Sequence, residues 1–335
     1  MRIFFDDRQL EHRPARELHN GDWTDYAEVT DRVDSILAAI ASFEAPRDFG
    51  ETPIFAVHSP EYITFLKSAI QRWREAGRSG DAIGYVWPIV GRRALKLDRI
   101  DAELGRFSMD ASTPITDGTW TAAYWNAQSA IAATKAILEG ERSAFALCRP
   151  PGHHAGTDYL GGYCYLNNIA IAAQFAVDSG IPRVAILDID YHHGNGTQDI
   201  FWDRGDVFFV SMHADPATDF PFFWGHSDEH GQGDGMGTTL NFPMPRGTTI
   251  EPYRKTLGKA LSAVSSFQPD ILLVSFGADT FSGDPISFFE LQTADYSLIA
   301  EDLAALGLPT VIVMEGGYAI NALGNNTAAF LSSFL

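Results

Sequence analysis

Val184-Ala185-Ile186-Leu187-Asp188-Ile189-Asp190-Tyr191-His192-His193-Gly194-Asn195-Gly196 is the stretch on which the fold turns. Val184–Leu187 is a short, wholly apolar run, as expected of a strand buried on both faces, and it runs directly into carboxylates and imidazoles. Along an extended strand end, residues two apart point the same way, so Asp190 and His192 project to one side at the spacing of a metal-ligand pair.

Working outward, the same arrangement recurs. Ile3–Phe5, Ile54–Val57, Ala144–Leu147, Val207–Val210, Ile271–Ser275 and Thr310–Met314 are short apolar runs that also read as strands. Between them Asp31–Phe43, Glu61–Ala76, Trp120–Leu138, Asn168–Ser179, Pro252–Ser265 and Ala294–Leu306 carry helical periodicity. Strands alternating with helices predict a doubly wound α/β fold, a parallel sheet covered on both faces. The chemically unusual residues follow the strand C-termini: His153–His154, Asp188–His193, Ser211–His213, Asp279 and Glu315–Tyr318. Open α/β sheets bind ligands at that edge, so five loops are expected to converge on one site. One domain over 1–335 is expected, with a long loop insertion at about 77–119 that lacks a clear strand or helix pattern.

Composition narrows the function. A formal charge of −19 disfavours a polyanionic partner, so nucleic acid is not expected, and it permits a cationic substrate. Nothing reads as a leader or a membrane span, and Cys148 and Cys164 are the only cysteines. The expectation is a cytoplasmic protein with reduced thiols.

The chemistry sits at the strand ends. Asp190, His192 and, from Phe276-Gly277-Ala278-Asp279-Thr280, Asp279 make two carboxylates and one imidazole, a set that leaves a tetrahedral Zn²⁺ open to water. Arg149-Pro150-Pro151-Gly152-His153-His154 places two imidazoles on a loop, where they can serve as base and acid near neutral pH. Asp188 and Asn195 are candidate partners for their ring nitrogens, setting tautomer and basicity. Glu315-Gly316-Gly317-Tyr318 is a turn able to bring the Tyr318 phenol over the pocket as an oxyanion donor.

The ordered segments PPGHHA, GGYCYLNN, LDIDYHHGNGTQDIF, SMHADP, GADTFSGDP and EGGY resemble the histone deacetylase and acetylpolyamine amidohydrolase family over Arg149–Tyr318, and the opening of the chain resembles it more loosely. The resemblance implies an arginase-like, single-domain fold with an eight-stranded, mainly parallel sheet. It implies Asp190, His192 and Asp279 as zinc ligands, with Fe²⁺ an alternative occupant. His153 and His154 would be the general acid–base pair, and Tyr318 the residue that polarises the carbonyl. Asp188, Asp190, His192, Ser211 and Met212 would hold a structural potassium ion, and Phe201, Arg204 and Val207 a second one. Tyr163 and Phe220 match the aromatic walls of the substrate tunnel. Gly161 or Gly162 would accept from the scissile amide, and Asp101 would meet a distant ammonium. Segment 77–119, with Gly91–Arg93 and Thr113–Ile115, is similar to the loop through which acetylpolyamine amidohydrolases dimerise and narrow their entrance.

The implied activity is zinc-dependent removal of acetyl groups from N-acetylated amines, most of all acetylpolyamines, by metal-activated water. Peptide acetyl-lysine is the alternative substrate and a non-catalytic acetyl-binding subunit the alternative class. An arginase-like pair of manganese ions would need a further carboxylate, for which Asp284 is the candidate.

Overall fold

The computed structural model describes residues 1–40, 42–89 and 97–335. Its strands are β1 (Arg2–Phe4), β2 (Arg16–His19), β3 (Asp22–Asp25), β4 (Ser143–Ala146), β5 (Val184–Asp188), β6 (Val207–Ala214), β7 (Thr239–Met244), β8 (Ile271–Phe276) and β9 (Thr310–Met314). The helices are α1 (Asp31–Ala39), α2 (Thr52–Phe55), α3 (Pro60–Glu75), α4 (Ile100–Arg106), α5 (Thr119–Leu138), α6 (Asn168–Asp178), α7 (Asn195–Phe201), α8 (Ile250–Phe267), α9 (Thr293–Ala304) and α10 (Ile320–Leu331). A parallel sheet in the order β1-β4-β9-β8-β5-β6-β7 carries the fold, and β2 and β3 form a separate antiparallel hairpin.

The apolar runs form strands because both faces of the sheet are dry. Ile186, Phe209, Leu273 and Val313 face a core filled from α3, α5 and α6, while their neighbours Leu187, Val210, Val274 and Ile312 face a second core filled from α1, α8, α9 and α10. Period-two alternation thus feeds two cores rather than a core and solvent. Helix starts follow local chemistry: Ser59 Oγ accepts from Tyr62 N–H ahead of Pro60 in α3, and Asn167 Oδ1 accepts from Ala170 N–H to open α6.

Three expectations need correction. The main sheet has seven strands among the described residues, not eight. Ile54–Val57, expected as a strand, instead ends the short helix α2 at Ile54 and Phe55, with Pro53 in the helix's first turn, and runs on as a turn; a brief apolar run looks the same in either state. Segment 77–119 has more structure than its pattern suggested: it contains α4, an Ala82–Ile115 bridge and a Ser108–Leu160 bridge. Gly91–Arg93 lie outside the described residues. Strand β7 was missed because Pro243 and its polar neighbours weaken the strand signal; it tolerates them as the edge strand, paired among the described residues with β6 alone. Among the described residues no helix is long and apolar enough to cross a membrane, and both cysteines are free and buried.

Candidate active site

Strand β5 delivers Asp188 at its last position, and the chain beyond it delivers Asp190 and His192; β8 delivers Asp279 three residues past its end. In space Asp190, His192 and Asp279 offer donor atoms that all lie within 4.8 Å of one another. His192 Nδ1 is 3.2 Å from Asp279 Oδ2 and 3.4 Å from Asp190 Oδ1. Both carboxylates are wholly buried. Burial, then the charge of Asp190, pushes Asp279 up to about 7, whereas His192, although burial opposes its charge, is pushed up to about 10 by hydrogen bonds to the two acids. Two buried like charges converging on one point call for a cation, so this donor set fits a metal ion. Gly316 belongs to the cradle: its N–H donates to Asp190 Oδ2 at 2.8 Å, and a Cβ there would stand 2.4 Å from Asp279 Oδ2.

The paired histidines are held differently. His153 Nδ1–H donates to Asp188 Oδ2 at 3.0 Å, and His154 Nδ1–H donates to Asn195 Oδ1 at 2.7 Å. Burial opposes a charge on His153, but Asp188 and Asp190 outweigh it and push the ring up to about 10. Burial, helped by the neighbouring His153 and His192, holds His154 well below the usual imidazole range. A carboxylate beside one ring and an amide beside the other thus give two adjacent imidazoles opposite tendencies: His154 neutral with Nε2 free, His153 charged.

Tyr318 completes the cluster. Its ring packs edge-on against Tyr163 at 5.6 Å, and Arg32 lies 5.0 Å above its face. Among the described residues its hydroxyl makes no hydrogen bond, and burial raises it well above the ordinary phenol value. The turn is fixed by Asp284, whose Oδ2 accepts from Tyr318 N–H at 2.7 Å and Ala319 N–H at 3.2 Å. Asp284 therefore anchors a turn. Phe220 packs edge-on against His154 at 5.0 Å, on the histidine side of the cluster, as Tyr163 does on the Tyr318 side.

Sequence reasoning missed several supports. Glu315 Oε2 accepts from Gly152 and His153 N–H groups at 2.6 and 3.1 Å, joining the histidine loop to the Tyr318 turn. Asp110 Oδ2 accepts from Gly162 N–H at 2.6 Å, and Glu17 Oε1 accepts from the Tyr163 hydroxyl at 2.9 Å. Only the acidic residue types hinted at these roles. Asp101 is not joined to the cluster: buried at the edge of α4, it pairs with Arg78 at 2.6 Å and Arg99 at 2.7 Å. Within this chain its charge is shared by those two guanidiniums, which hold it below the usual carboxylate range against the burial that opposes them.

The chain matches the model of the histone deacetylase domain over residues 25–334. It belongs to the histone deacetylase family. Within that family it is 46% identical to acetylpolyamine amidohydrolase 2 of Pseudomonas aeruginosa, over 99% of this chain and 98% of that one. It is 44% identical to the acetylpolyamine amidohydrolase of Mycoplana ramosa, with the same coverage. A crystal structure of acetylpolyamine aminohydrolase from Burkholderia pseudomallei superimposes with a TM-score of 0.95 at 40% identity, covering 100% of this chain and 98% of that one. The family is one of metal-dependent enzymes, and the Asp190, His192 and Asp279 cluster is where this member can hold its metal.

One glycine bears directly on the His154 ring. Gly162 sits at φ +54°, and a Cβ there would stand 2.2 Å from His154 Cδ2. Gly162→Ala is therefore expected to displace the ring and lower kcat roughly a hundredfold, the scale on which ångström misplacements act. Steady-state kinetics on folded variant, checked by circular dichroism, measures it; an unchanged kcat would show that the ring is free to shift without cost.

Proposed function

We propose that the protein is a zinc-dependent amidohydrolase that removes acetyl groups from N-acetylated amines, with acetylpolyamines as substrates. The observation that carries this is the convergence of the Asp190, His192 and Asp279 donor set, the His153–His154 pair and the free Tyr318 hydroxyl at one sheet edge. The substrate class is supported by near-full-length relatives that bear the name acetylpolyamine amidohydrolase.

When bound, the metal ion, zinc in this reading with Fe²⁺ able to use the same donors, supplies a Lewis acid that polarises the acetyl carbonyl and acidifies water. The chain's own residues do the rest. His154 Nε2, unprotonated, takes a proton from the attacking water as its oxygen bonds to the acetyl carbon. His153, held charged by Asp188, steadies the developing negative charge. The Tyr318 hydroxyl donates to the carbonyl oxygen as that oxygen gains charge. The C–N bond then breaks, an imidazolium returns its proton to the leaving nitrogen, and acetate and a free amine result. Tyr163 and Phe220 would flank the slender acyl chain, and the Gly162 carbonyl would accept from the amide N–H.

Structural potassium is part of the same reading, with Asp188, Ser211 and the backbone oxygens of Asp190, His192 and Met212 as its ligands. Ser275, opposite Asp188 in the β5–β8 register, supports it: its buried Oγ has no partner among the described residues. A second site would use the carbonyls of Phe201, Arg204 and Val207. We further propose a homodimer through segment 77–119, where Tyr85, Val86 and Ile89 stand more than half exposed beside Trp87, an apolar surface suited to a second copy of this chain. The two free thiols suit a reducing cytoplasm.

Acetate release from N-acetylputrescine, N-acetylcadaverine, N8-acetylspermidine and an acetyl-lysine peptide tests the substrate. The polyamines are expected to have kcat/KM at least about tenfold above the peptide, a difference of roughly 1.4 kcal/mol in transition-state binding. A faster peptide would overturn the polyamine reading and leave the deacetylase; no hydrolysis of any of them by zinc-loaded protein would overturn both.

A further inference from the structure

His154 is not the end of its hydrogen-bonded chain. Asn195, which accepts from the His154 ring, directs its Nδ2 at the Tyr159 hydroxyl at 3.2 Å, and that hydroxyl lies 2.7 Å from Asp199 Oδ2. Tyr159 is positioned on purpose-shaped ground. Its ring stacks on Trp224 at 6.3 Å between centroids, and it lies where any Cβ on Gly156 would come within 2.2 Å of Tyr159 Cε1.

The chain has a direction that follows from donor and acceptor capacity. The ionised Asp199 carboxylate can only accept, so the Tyr159 hydrogen is committed to it. The Tyr159 oxygen is then left to accept, and of Asn195's two ends only the amide NH₂ can donate to it. With the NH₂ turned that way, Asn195 Oδ1 faces His154 Nδ1, which must carry the proton, leaving Nε2 as the unprotonated nitrogen. If the amide rotated by half a turn, Oδ1 would confront the Tyr159 oxygen. Its NH₂ would then demand an acceptor at Nδ1 and push the proton to Nε2, where a base is needed. The other neighbours of Asn195 Nδ2 are weak restraints: Met109 Sδ at 3.4 Å and the His154 carbonyl at 3.5 Å.

We propose that Tyr159 and Asp199 are positioning residues that select the catalytically competent tautomer of His154, by orienting an amide that on its own could face either way. An aspartate at 195 would need no such help, because both its oxygens accept. With asparagine there, the charge that orients the ring is moved two hydrogen bonds outward, to Asp199, whose carboxyl burial raises while the Tyr159 and Trp224 side chains bond to it and favour its charged form. This inference rests on His154 being the general acid–base of the proposed function.

The test is a double-mutant cycle read by kinetics and by spectroscopy. Tyr159→Phe removes the hydroxyl and keeps the ring. Asp199→Asn, a nearly isosteric change that keeps an oxygen for Trp224, lets residue 199 donate to Tyr159 and so frees the phenol to donate towards Asn195. Each is expected to lower kcat about tenfold to a hundredfold with little change in KM, the usual scale for a group that orients a catalytic ligand. In an Asn195→Asp background, whatever its own rate, Tyr159→Phe is expected to lower kcat no further. In histidine-¹⁵N-labelled, zinc-loaded protein, with the ring signals assigned by their loss in His154→Ala, both single variants are expected to raise the Nε2-protonated population. Two results would overturn the proposal: a Tyr159→Phe enzyme with unchanged kcat and tautomer, or an equal loss of kcat in both backgrounds, which would mark Tyr159 as mere packing. If the wild type hydrolysed no acetyl-amide, the functional reading would fail instead, and the tautomer spectrum would still decide the relay.

Discussion

Asp279→Ala is expected to purify without stoichiometric metal and to release no measurable acetate, while folding as the wild type does. In the proposed reading the carboxylate is one of three protein donors, and among the described residues it is grouped with Asp190 and His192 alone. The folded state should tolerate its loss because two effects oppose each other. Tyr191 N–H, which donates to Asp279 Oδ1 at 3.0 Å, loses its acceptor, at a cost of about 1–3 kcal/mol. Against this, the loss removes a carboxylate that burial, and then the charge of Asp190 beside it, push up to about 7. Metal analysis and melting curves with and without added zinc would measure it. The wild-type Tm should rise with zinc, since a ligand at a hundred times its Kd stabilises by roughly 2.7 kcal/mol, and the Tm of the variant should not move. One metal per wild-type chain is the expected stoichiometry. The carboxylate that a two-manganese site would recruit, Asp284, already accepts from the N–H groups of Tyr318, Ala319 and Ile286. A variant with bound stoichiometric metal would remove Asp279 from the ligand set.

How much of this was legible in the residues depended on whether the signal was local. Thr310–Met314 reads as a strand at its observed limits because all five residues are buried between two helical layers. The meeting of Asp190, His192 and Asp279 was legible for a related reason: each follows an apolar run within a few residues, and strand ends of a parallel sheet meet at one edge. Partnerships between distant backbone and side-chain groups were not legible. Asp284 acts on an N–H 34 residues away and Glu315 on one 163 residues away, and neither spacing leaves a periodic trace. Asp101 shows another partnership that the sequence hid. An acid in a loop invites a ligand, but Arg78 and Arg99 reach it first, and their approach depends on how α3 and α4 pack. Ile54–Val57 failed because apolar content alone does not distinguish a strand from one turn of helix.

Tyr318→Phe is expected to bind the same metal with the same stoichiometry, to melt at the wild-type temperature and to lose about a hundredfold to a thousandfold in kcat, the effect of deleting one oxyanion donor. Stability should hold because the hydroxyl has no hydrogen bond to lose among the described residues, and the ring keeps its contacts with Tyr163 and Arg32. The backbone of residue 318 is held by Asp284 through its N–H, which the substitution leaves in place, so the turn should not move. KM should change little, since the phenol's contribution grows as the carbonyl oxygen gains charge and is small in the bound substrate. That split distinguishes a transition-state donor from a residue that only shapes the pocket, whose loss would raise KM instead. Asp284→Asn provides the complementary case: the phenol stays, but its turn loses a charged anchor, so kcat should fall while the hydroxyl is still present. If Tyr318→Phe retained the wild-type kcat, stabilisation of the oxyanion would have to come from the metal and the histidines alone, and the open hydroxyl at the sheet edge would have no part in the chemistry.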